Sequence, residues 1–165
     1  EIGTYCGKSS MYLSLGAKKN NQYIFTIDHH LGSEEHQISQ EYFDKDVYDD
    51  VNKRVDTLPL LIENINKYKV KNIVPIVAES KEVSSHWSSN IGILFIDGGH
   101  SYKSANNDYK YWEPKIIVGG CLIIHDIYED PLKGGQAPYL IYQKALENGY
   151  KIYEREDTII CLIKN

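Results

Sequence analysis

The sequence is poor in the features that mark several protein classes. Its 165 residues include 3 cysteines, and no apolar run approaches the roughly 20 residues of a membrane span. The net charge of -5 disfavours nucleic acid as the main partner, because phosphate binding needs a basic surface. Cys6, Cys121 and Cys161 are widely spaced and form no CxxC pair, so a disulfide frame or zinc site is not expected. We therefore predict a cytoplasmic protein with free thiols and no membrane partner.

An initiating methionine is also missing, since the one methionine of the sequence is Met11. Glu1 and Ile2 have the pattern of the end of a strand, so we expect the sequence to lack an N-terminal segment. What remains is typical of a folded domain, with 42% hydrophobic and 25% charged residues. The length predicts a single domain over residues 1–165.

Hydrophobic periodicity predicts strands that alternate with helices along the chain. That order is typical of an α/β fold: a doubly wound, mostly parallel, Rossmann-like sheet with helices on both faces. The two closing strands flank a tight turn, which predicts an antiparallel strand at the C-terminal edge. The predicted strands are Gln22–Asp28, Asn72–Ala78, Ile91–Asp97, Ile116–Asp126, 150–156 and 158–164, and the predicted helices are Ser9–Ala17, Thr57–Tyr68, Ala105–Trp112 and Pro138–Asn148.

Polar residues follow five of the predicted strands. In open α/β sheets, ligands bind outside the carboxyl ends of the strands. Acids, histidines, glycines and small hydroxyls at so many strand ends predict one polar site. These stretches are residues 3–9, 28–30, 78–80, 97–100 and 125–126.

The opening stretch EIGTYCGKSS indicates which ligand that site takes. Its glycines would let the backbone approach a ligand closely. A dinucleotide fingerprint needs G-x-G-x-x-G, but Tyr5 stands at the second glycine position and Gly7 has a different spacing. A ligand without phosphate, such as S-adenosylmethionine, needs no such loop, and Asp28 could bind its ribose hydroxyls.

EIGTYCGKS resembles the first motif of class I S-adenosylmethionine-dependent O-methyltransferases, and it is especially similar to that of catechol O-methyltransferase. IDGGHSY, a later W-x-P, VGG and IIHD resemble the bacterial group that includes sugar and macrolide O-methyltransferases. The resemblance covers nearly the whole chain in the right order. It implies S-adenosylmethionine as cofactor and a small-molecule or sugar hydroxyl as acceptor; a homo-oligomer is left open.

The resemblance also implies roles for individual residues at the cofactor. The opening loop would line the methionine part, and Asp28 would hold the ribose. The residues that follow the predicted strand Asn72–Ala78 would lie near the adenine. Apart from the resemblance, we expect His29 and His30 either to touch cofactor or substrate or to cap the strand in solvent. The residues implied to bind the cofactor are Glu1, Gly3, Tyr5, Gly7, Ser9, Asp28, His29, Glu79, Ser80, Lys81 and Asp97.

A divalent metal, magnesium or manganese, is the second implied cofactor. Asp97 and Asp126 match metal-binding aspartates of the family, but Ile127 stands where many members have asparagine. His100, His125 or His30 would then supply the third ligand, which shifts the preference toward transition metals. His100 also falls where catechol O-methyltransferase has its catalytic base, and His125 is the competing base.

Other interpretations of the same residues stay open. TIDHH, Thr26 to His30, resembles the DHH phosphoesterase signature, which would need further aspartates for a two-metal site. A non-catalytic, regulatory nucleotide-binding domain is the main alternative, and an NAD-dependent oxidoreductase is a weaker one. The acidic stretch Ser33–Asp50 is either a solvated surface or a substrate-binding loop. Gly134–Tyr142 is either a lid or a helix start with Pro138 in its first turn.

Overall fold

The computed structural model describes all 165 residues, which form two compact units. Unit 1 comprises Glu1 and residues 3–79, and unit 2 comprises Ile2 and residues 80–165. None of the helices is both long and apolar enough to cross a bilayer. The helices are α1 (Lys8–Lys19), α2 (Leu58–Lys67), α3 (Ser80–His86), α4 (Tyr102–Trp112) and α5 (Ala137–Glu147), and the strands are β1 (Ile24–Asp28), β2 (Tyr48–Asp49), β3 (Arg54–Val55), β4 (Ile73–Val77), β5 (Ile91–Ile96), β6 (Ile116–Ile124), β7 (Lys151–Glu156) and β8 (Ile159–Ile163).

Unit 1 is built on the parallel pair β1 and β4, in which Ile24 lies opposite Ile73. Helix α1 packs against both strands. It begins directly after Gly7, whose φ of 84° lies in the left-handed region that favours glycine. A Cβ on Gly7 would also lie 2.4 Å from Leu61 Cδ1, so this position has no room for a side chain. The glycine thus allows both the turn and the close packing of α2.

Unit 2 contains a four-stranded sheet in the order β5-β6-β8-β7. Strands β5 and β6 are parallel, and β8 runs antiparallel to both β6 and the edge strand β7. Ile2 adds a parallel bridge to Ile96. One sheet face carries the fully buried Leu122, Ile160 and Leu162, and α4 packs against β5 and α5. The predicted α/β class and the closing antiparallel strand are confirmed.

The largest difference from the sequence-based expectation is helix α3, which was not predicted. Its sequence, SKEVSSH, buries only Ser84 and so has no apolar period to detect. Helix α4 also begins earlier than predicted, at Tyr102. There the Ser101 side chain accepts a hydrogen bond from the Ser104 amide at 3.3 Å, a typical N-cap.

The long polar stretch after β1 is folded on itself. Its two ends are joined where the Thr57 amide donates to the His30 carbonyl at 3.1 Å. Between them lie two short 3₁₀ turns and the β2–β3 pair, and the stretch buries Val47 and Val55. Within Ser33–Asp50 only Val47 is buried and most residues are exposed, so the expectation of a solvated surface stays a prediction. A role in substrate binding also stays a prediction.

Candidate active site

The opening loop of unit 1 is held by the carboxylate of Asp28, the last residue of β1. Asp28 Oδ2 accepts hydrogen bonds from the backbone amides of Thr4 and Tyr5, both at 2.9 Å. Its Oδ1 accepts from the His30 amide at 2.7 Å. A carboxylate offers about four acceptor positions, so one remains for a ligand hydroxyl. Asp28 therefore fixes the loop and keeps some capacity to bind ribose.

Glu1 lies at the centre of a second network in unit 1. The whole Glu1 residue is 9% exposed. Its carboxylate accepts hydrogen bonds from the hydroxyls of Ser9, Ser10 and Thr26. Thr26 also contacts the Thr4 hydroxyl. Ser10, Thr26 and Thr4 were not predicted as functional residues, and no distinctive pattern in the sequence marks them. These hydrogen bonds connect Glu1, at the start of the opening loop, to helix α1 and strand β1.

Tyr5 extends from this loop toward the folded stretch after β1. Its φ of 49° is left-handed, as are those of Gly3 and Gly7, so the loop turns sharply at three positions. The phenol donates a hydrogen bond to Asp44 Oδ2 at 2.9 Å, and the ring stacks on His36 at a centroid distance of 5.5 Å. Burial and the Asp44 carboxylate raise the pKa of Tyr5 well above its usual value. Tyr5 is thus a neutral hydrogen-bond donor.

His29 and His30 have different environments. The His29 side chain is 34% exposed, with Nδ1 4.0 Å from Asp28 Oδ1. His30 is 2% exposed, and its Nδ1 lies 2.7 Å from Thr57 Oγ1. Its Nε2 is buried without a hydrogen-bond partner, and burial lowers the pKa of this imidazole. His30 therefore joins the two ends of the folded stretch as a neutral side chain and is not part of the metal cluster described below.

The residues implied to lie near the adenine follow strand β4 in the chain. Glu79 ends unit 1, and Ser80 and Lys81 begin α3 in unit 2. The indole Nε1 of buried Trp112 donates to Ser80 Oγ at 2.8 Å. Trp112 was not predicted as a site residue, although a tryptophan at the end of a predicted helix is a detectable signal. Ser80 accordingly positions an aromatic ring at this end of α3.

Unit 2 brings the remaining predicted residues together. His125 Nδ1 lies 2.9 Å from Asp97 Oδ1 and 3.3 Å from Asp126 Oδ2. His100 Nε2 lies 2.9 Å from the same Asp126 Oδ2. One ligand atom each from Asp97, His100 and Asp126 lies within 4.8 Å of the others. The side chains are between 21% and 33% exposed, so a small molecule can reach them.

The charges of this cluster are strongly coupled. Hydrogen bonds to Asp126 and Asp97 raise the pKa of His125 to about 10. Burial alone would raise the pKa of Asp126, but hydrogen bonds from His100 and His125 lower it well below its usual value. His125 is therefore a cation held between two carboxylates. Two oxygen ligands and one imidazole fit a divalent ion of the magnesium, manganese or zinc type.

Backbone geometry explains how the sequence places these groups. Asp97 and His125 follow the parallel strands β5 and β6, and the His125 amide donates to the Ile96 carbonyl at 3.2 Å. Asp126 has a φ of 59°, a left-handed conformation that turns the chain directly after the strand. The carboxyl ends of neighbouring parallel strands meet at one edge, so the strand-end motifs IDGGH and IIHD come together.

Comparisons with known proteins agree with this architecture. Residues 1–127 match the family described as Methyltransferase domain. The O-methyltransferase NovP superposes with a TM-score of 0.71 at 12% identity, over 99% of this chain and 70% of that one. The S-adenosylhomocysteine-bound Podospora anserina methyltransferase PaMTH1 gives 0.66 at 13%, over 99% and 70%.

An rRNA methylase from Streptococcus thermophilus is also similar, with a TM-score of 0.60 at 12% identity, over 99% of this chain and 84% of that one. Likeness at such low identity shows the fold and leaves the acceptor open. The family match covers well over half of the chain. The chain therefore belongs to the methyltransferase-domain family and has the fold of the class I S-adenosylmethionine-dependent methyltransferases.

Proposed function

We propose that this methyltransferase transfers the methyl group of S-adenosylmethionine to a hydroxyl oxygen of a small-molecule or sugar acceptor, assisted by a divalent metal. The observation that carries the proposal is the cluster of Asp97, His100 and Asp126, whose ligand atoms lie within 4.8 Å of one another. Such a cluster suits an acceptor that must lose a proton, as a hydroxyl does.

For the cofactor, we assign binding to the opening loop and its anchor. The sulfonium of the bound cofactor supplies the electrophilic methyl group, so the protein mainly has to align the reacting atoms. The loop supports this role because Asp28 accepts hydrogen bonds from the Thr4 and Tyr5 amides, and Glu1 accepts one from the Ser9 hydroxyl. The proposed cofactor-binding residues are Glu1, Gly3, Tyr5, Gly7, Ser9, Asp28, His29, Glu79, Ser80, Lys81 and Asp97.

For the metal, the proposed ligands are Asp97, Asp126 and His100. A bound divalent ion would orient the acceptor hydroxyl and lower its pKa. The two aspartates supply the negative charge that such an ion needs, and His125 neutralises part of that charge in its absence.

His100 is the proposed general base, with His125 as the competing candidate. His125 Nδ1 contacts both carboxylates, and His100 Nε2 lies 2.9 Å from Asp126 Oδ2, so both imidazoles are placed at the acidic cluster. His100 can act either as a metal ligand or as a base for the same acceptor. Loss of a ligand lowers metal affinity, whereas loss of a base lowers turnover at saturating metal, so the two roles are separable.

The acceptor class is supported by the charge of the chain. An rRNA acceptor would favour a basic surface, and the net charge here is -5. Release of S-adenosylhomocysteine should be measured with catechols, methyl hexosides and a structured RNA as acceptors. Turnover with the hydroxyl compounds supports the proposal, and turnover with the RNA alone overturns it. Binding of NAD without binding of S-adenosylhomocysteine would instead support the oxidoreductase alternative.

A further inference from the structure

The segment between β6 and α5, residues 127–136, passes next to the Asp97–His100–Asp126 cluster within unit 2. The Gln136 side-chain amide donates to the Tyr128 carbonyl at 2.9 Å and to the Gly134 carbonyl at 3.3 Å. These bonds close the segment into a loop. At its tip, Leu132 is 95% exposed, although it is apolar. The base of the loop is therefore fixed, and its tip is open to solvent.

Gly134 and Gly135 stand on the inner side of this loop. A Cβ on Gly134 would lie 2.3 Å from Tyr128 Cδ2, so the Tyr128 ring occupies the space of a side chain there. Only glycine permits this placement of the ring. The absence of a Gly134 side chain thus allows the Tyr128 ring to pack directly against the Gly134 backbone.

Gly135 has a different neighbour. A Cβ built on it would lie 3.8 Å from His100 Cβ, an ordinary van der Waals distance. Its φ is not left-handed, so alanine fits the backbone without strain. The two residues that follow soon after, Pro138 and Ile141, line the same cleft as His100 and His125. A side chain at position 135 would therefore fill space beside the His100 side chain, starting at its Cβ, without disturbing the fold.

On the basis of the function proposed above, we propose that Gly135 forms one side of the acceptor entrance beside His100 and selects acceptors by width. The entrance admits a hydroxyl carried on a flat ring with small neighbours and rejects one with bulky substituents next to it. Apolar walls suit the face of a ring, since Pro138 and Ile141 offer apolar surface there. Gly135 is on this account a specificity-determining residue.

The direct test compares Gly135→Ala and Gly135→Val with matched substitutions of Gly92. A Cβ on Gly92 meets no atom within 4 Å, and Gly92 lies on β5 in the same unit. Transfer to catechol and to 3,5-di-tert-butylcatechol is followed by S-adenosylhomocysteine release. We expect kcat/KM to fall in the order alanine, then valine, with the bulky acceptor losing about tenfold more, which is about 1.4 kcal/mol. Unchanged affinity for S-adenosylhomocysteine would exclude a general folding defect.

A second measurement needs no methyl transfer. Diethyl pyrocarbonate acylates an imidazole nitrogen and releases ethanol and carbon dioxide, and mass spectrometry of the His100 peptide gives the rate. We expect Gly135→Val to slow acylation of His100 about tenfold relative to Gly92→Val. Equal acylation rates of His100 in Gly135→Val and Gly92→Val would overturn the assignment of Gly135 to the acceptor entrance. Equal ratios of kcat/KM for the two acceptors in the Gly135 and Gly92 series would overturn it as well. If the wild type binds S-adenosylhomocysteine but methylates neither catechol, hydroxyl transfer is in doubt, and the acylation rates still decide the role of Gly135.

Discussion

The carboxylates at the candidate site have different hydrogen-bond partners in the two units. In unit 1, Glu1 and Asp28 accept hydrogen bonds from hydroxyls and backbone amides, which carry no charge. In unit 2, Asp97 and Asp126 are bound by the imidazoles of His125 and His100. Uncharged donors hold a backbone in one shape at any ordinary pH, whereas imidazoles can lose a proton or be displaced by a metal. The comparison supports the proposal of a cofactor loop in unit 1 and a reactive cluster in unit 2.

Removal of the metal should have the largest effect. Excess chelator should abolish methyl transfer, because Asp97 and Asp126 would then hold only His125 and His100 between them. Magnesium or manganese should restore it. Affinity for S-adenosylhomocysteine, measured by calorimetry, should change little. Full turnover in excess chelator would mean that the carboxylates handle protons or structure without a metal.

Loss of His100 should be the next largest effect. At saturating metal, His100→Ala should lower turnover by about 10²–10⁴-fold, the usual contribution of a general base. Affinity for the cofactor should stay the same. His86→Ala, at the exposed end of α3, is the matched control and should be silent. If His100→Ala turns over normally while His125→Ala does not, the base is His125.

Loss of Asp28 should produce the opposite pattern, with weaker binding as the primary effect. Asp28→Ala removes the acceptor of three backbone amides as well as a ribose partner, so S-adenosylhomocysteine should bind about 1–3 kcal/mol more weakly. Asp28→Asn keeps one oxygen and should lose less. Asp50→Ala, which changes an exposed acid in the same unit, serves as the control. Unchanged affinity in Asp28→Ala would remove the ribose assignment.

The smallest expected effect concerns stability and pH in unit 1. Burial lowers the pKa of His30, although Asp28 and Asp56 act to raise it and His29 acts with the burial. The unfolded state therefore binds a proton more readily, and stability should fall as pH drops below about 6.5 toward the folded pKa. Guanidinium unfolding at several pH values should show a shallower pH dependence in His30→Asn than in the wild type. Equal slopes would mean that His30 does not titrate on unfolding.

Much of this arrangement could be predicted from the sequence because strand-end residues are local signals. IDGGH and IIHD each end a strongly apolar strand, and neighbouring parallel strands place such ends together. The ion pairs of Asp97 and Asp126 could not be predicted in the same way, since a distance between side chains depends on rotamers. Residues that act through burial, such as Thr26 and Ser10 beneath Glu1, gave no distinctive pattern.

The loop between β6 and α5 is a second part of the site that the sequence could predict only in part. The sequence left GGQAPY as either a lid or the start of a helix, and the structure has α5 beginning at Ala137, one residue before Pro138. What the two glycines do depends on Tyr128, six residues before Gly134, and on His100, which is remote in sequence. No periodicity encodes that proximity, so the entrance could be inferred only from coordinates.

The most direct test of the central claim is calorimetric titration of the wild type, Asp28→Ala and His100→Ala with S-adenosylhomocysteine. A preformed cofactor loop predicts micromolar binding, about -8 kcal/mol, in the wild type and in His100→Ala. It predicts clearly weaker binding in Asp28→Ala. Absence of binding in the wild type, or equal affinity in all three proteins, would contradict the division between a cofactor loop in unit 1 and a reactive cluster in unit 2.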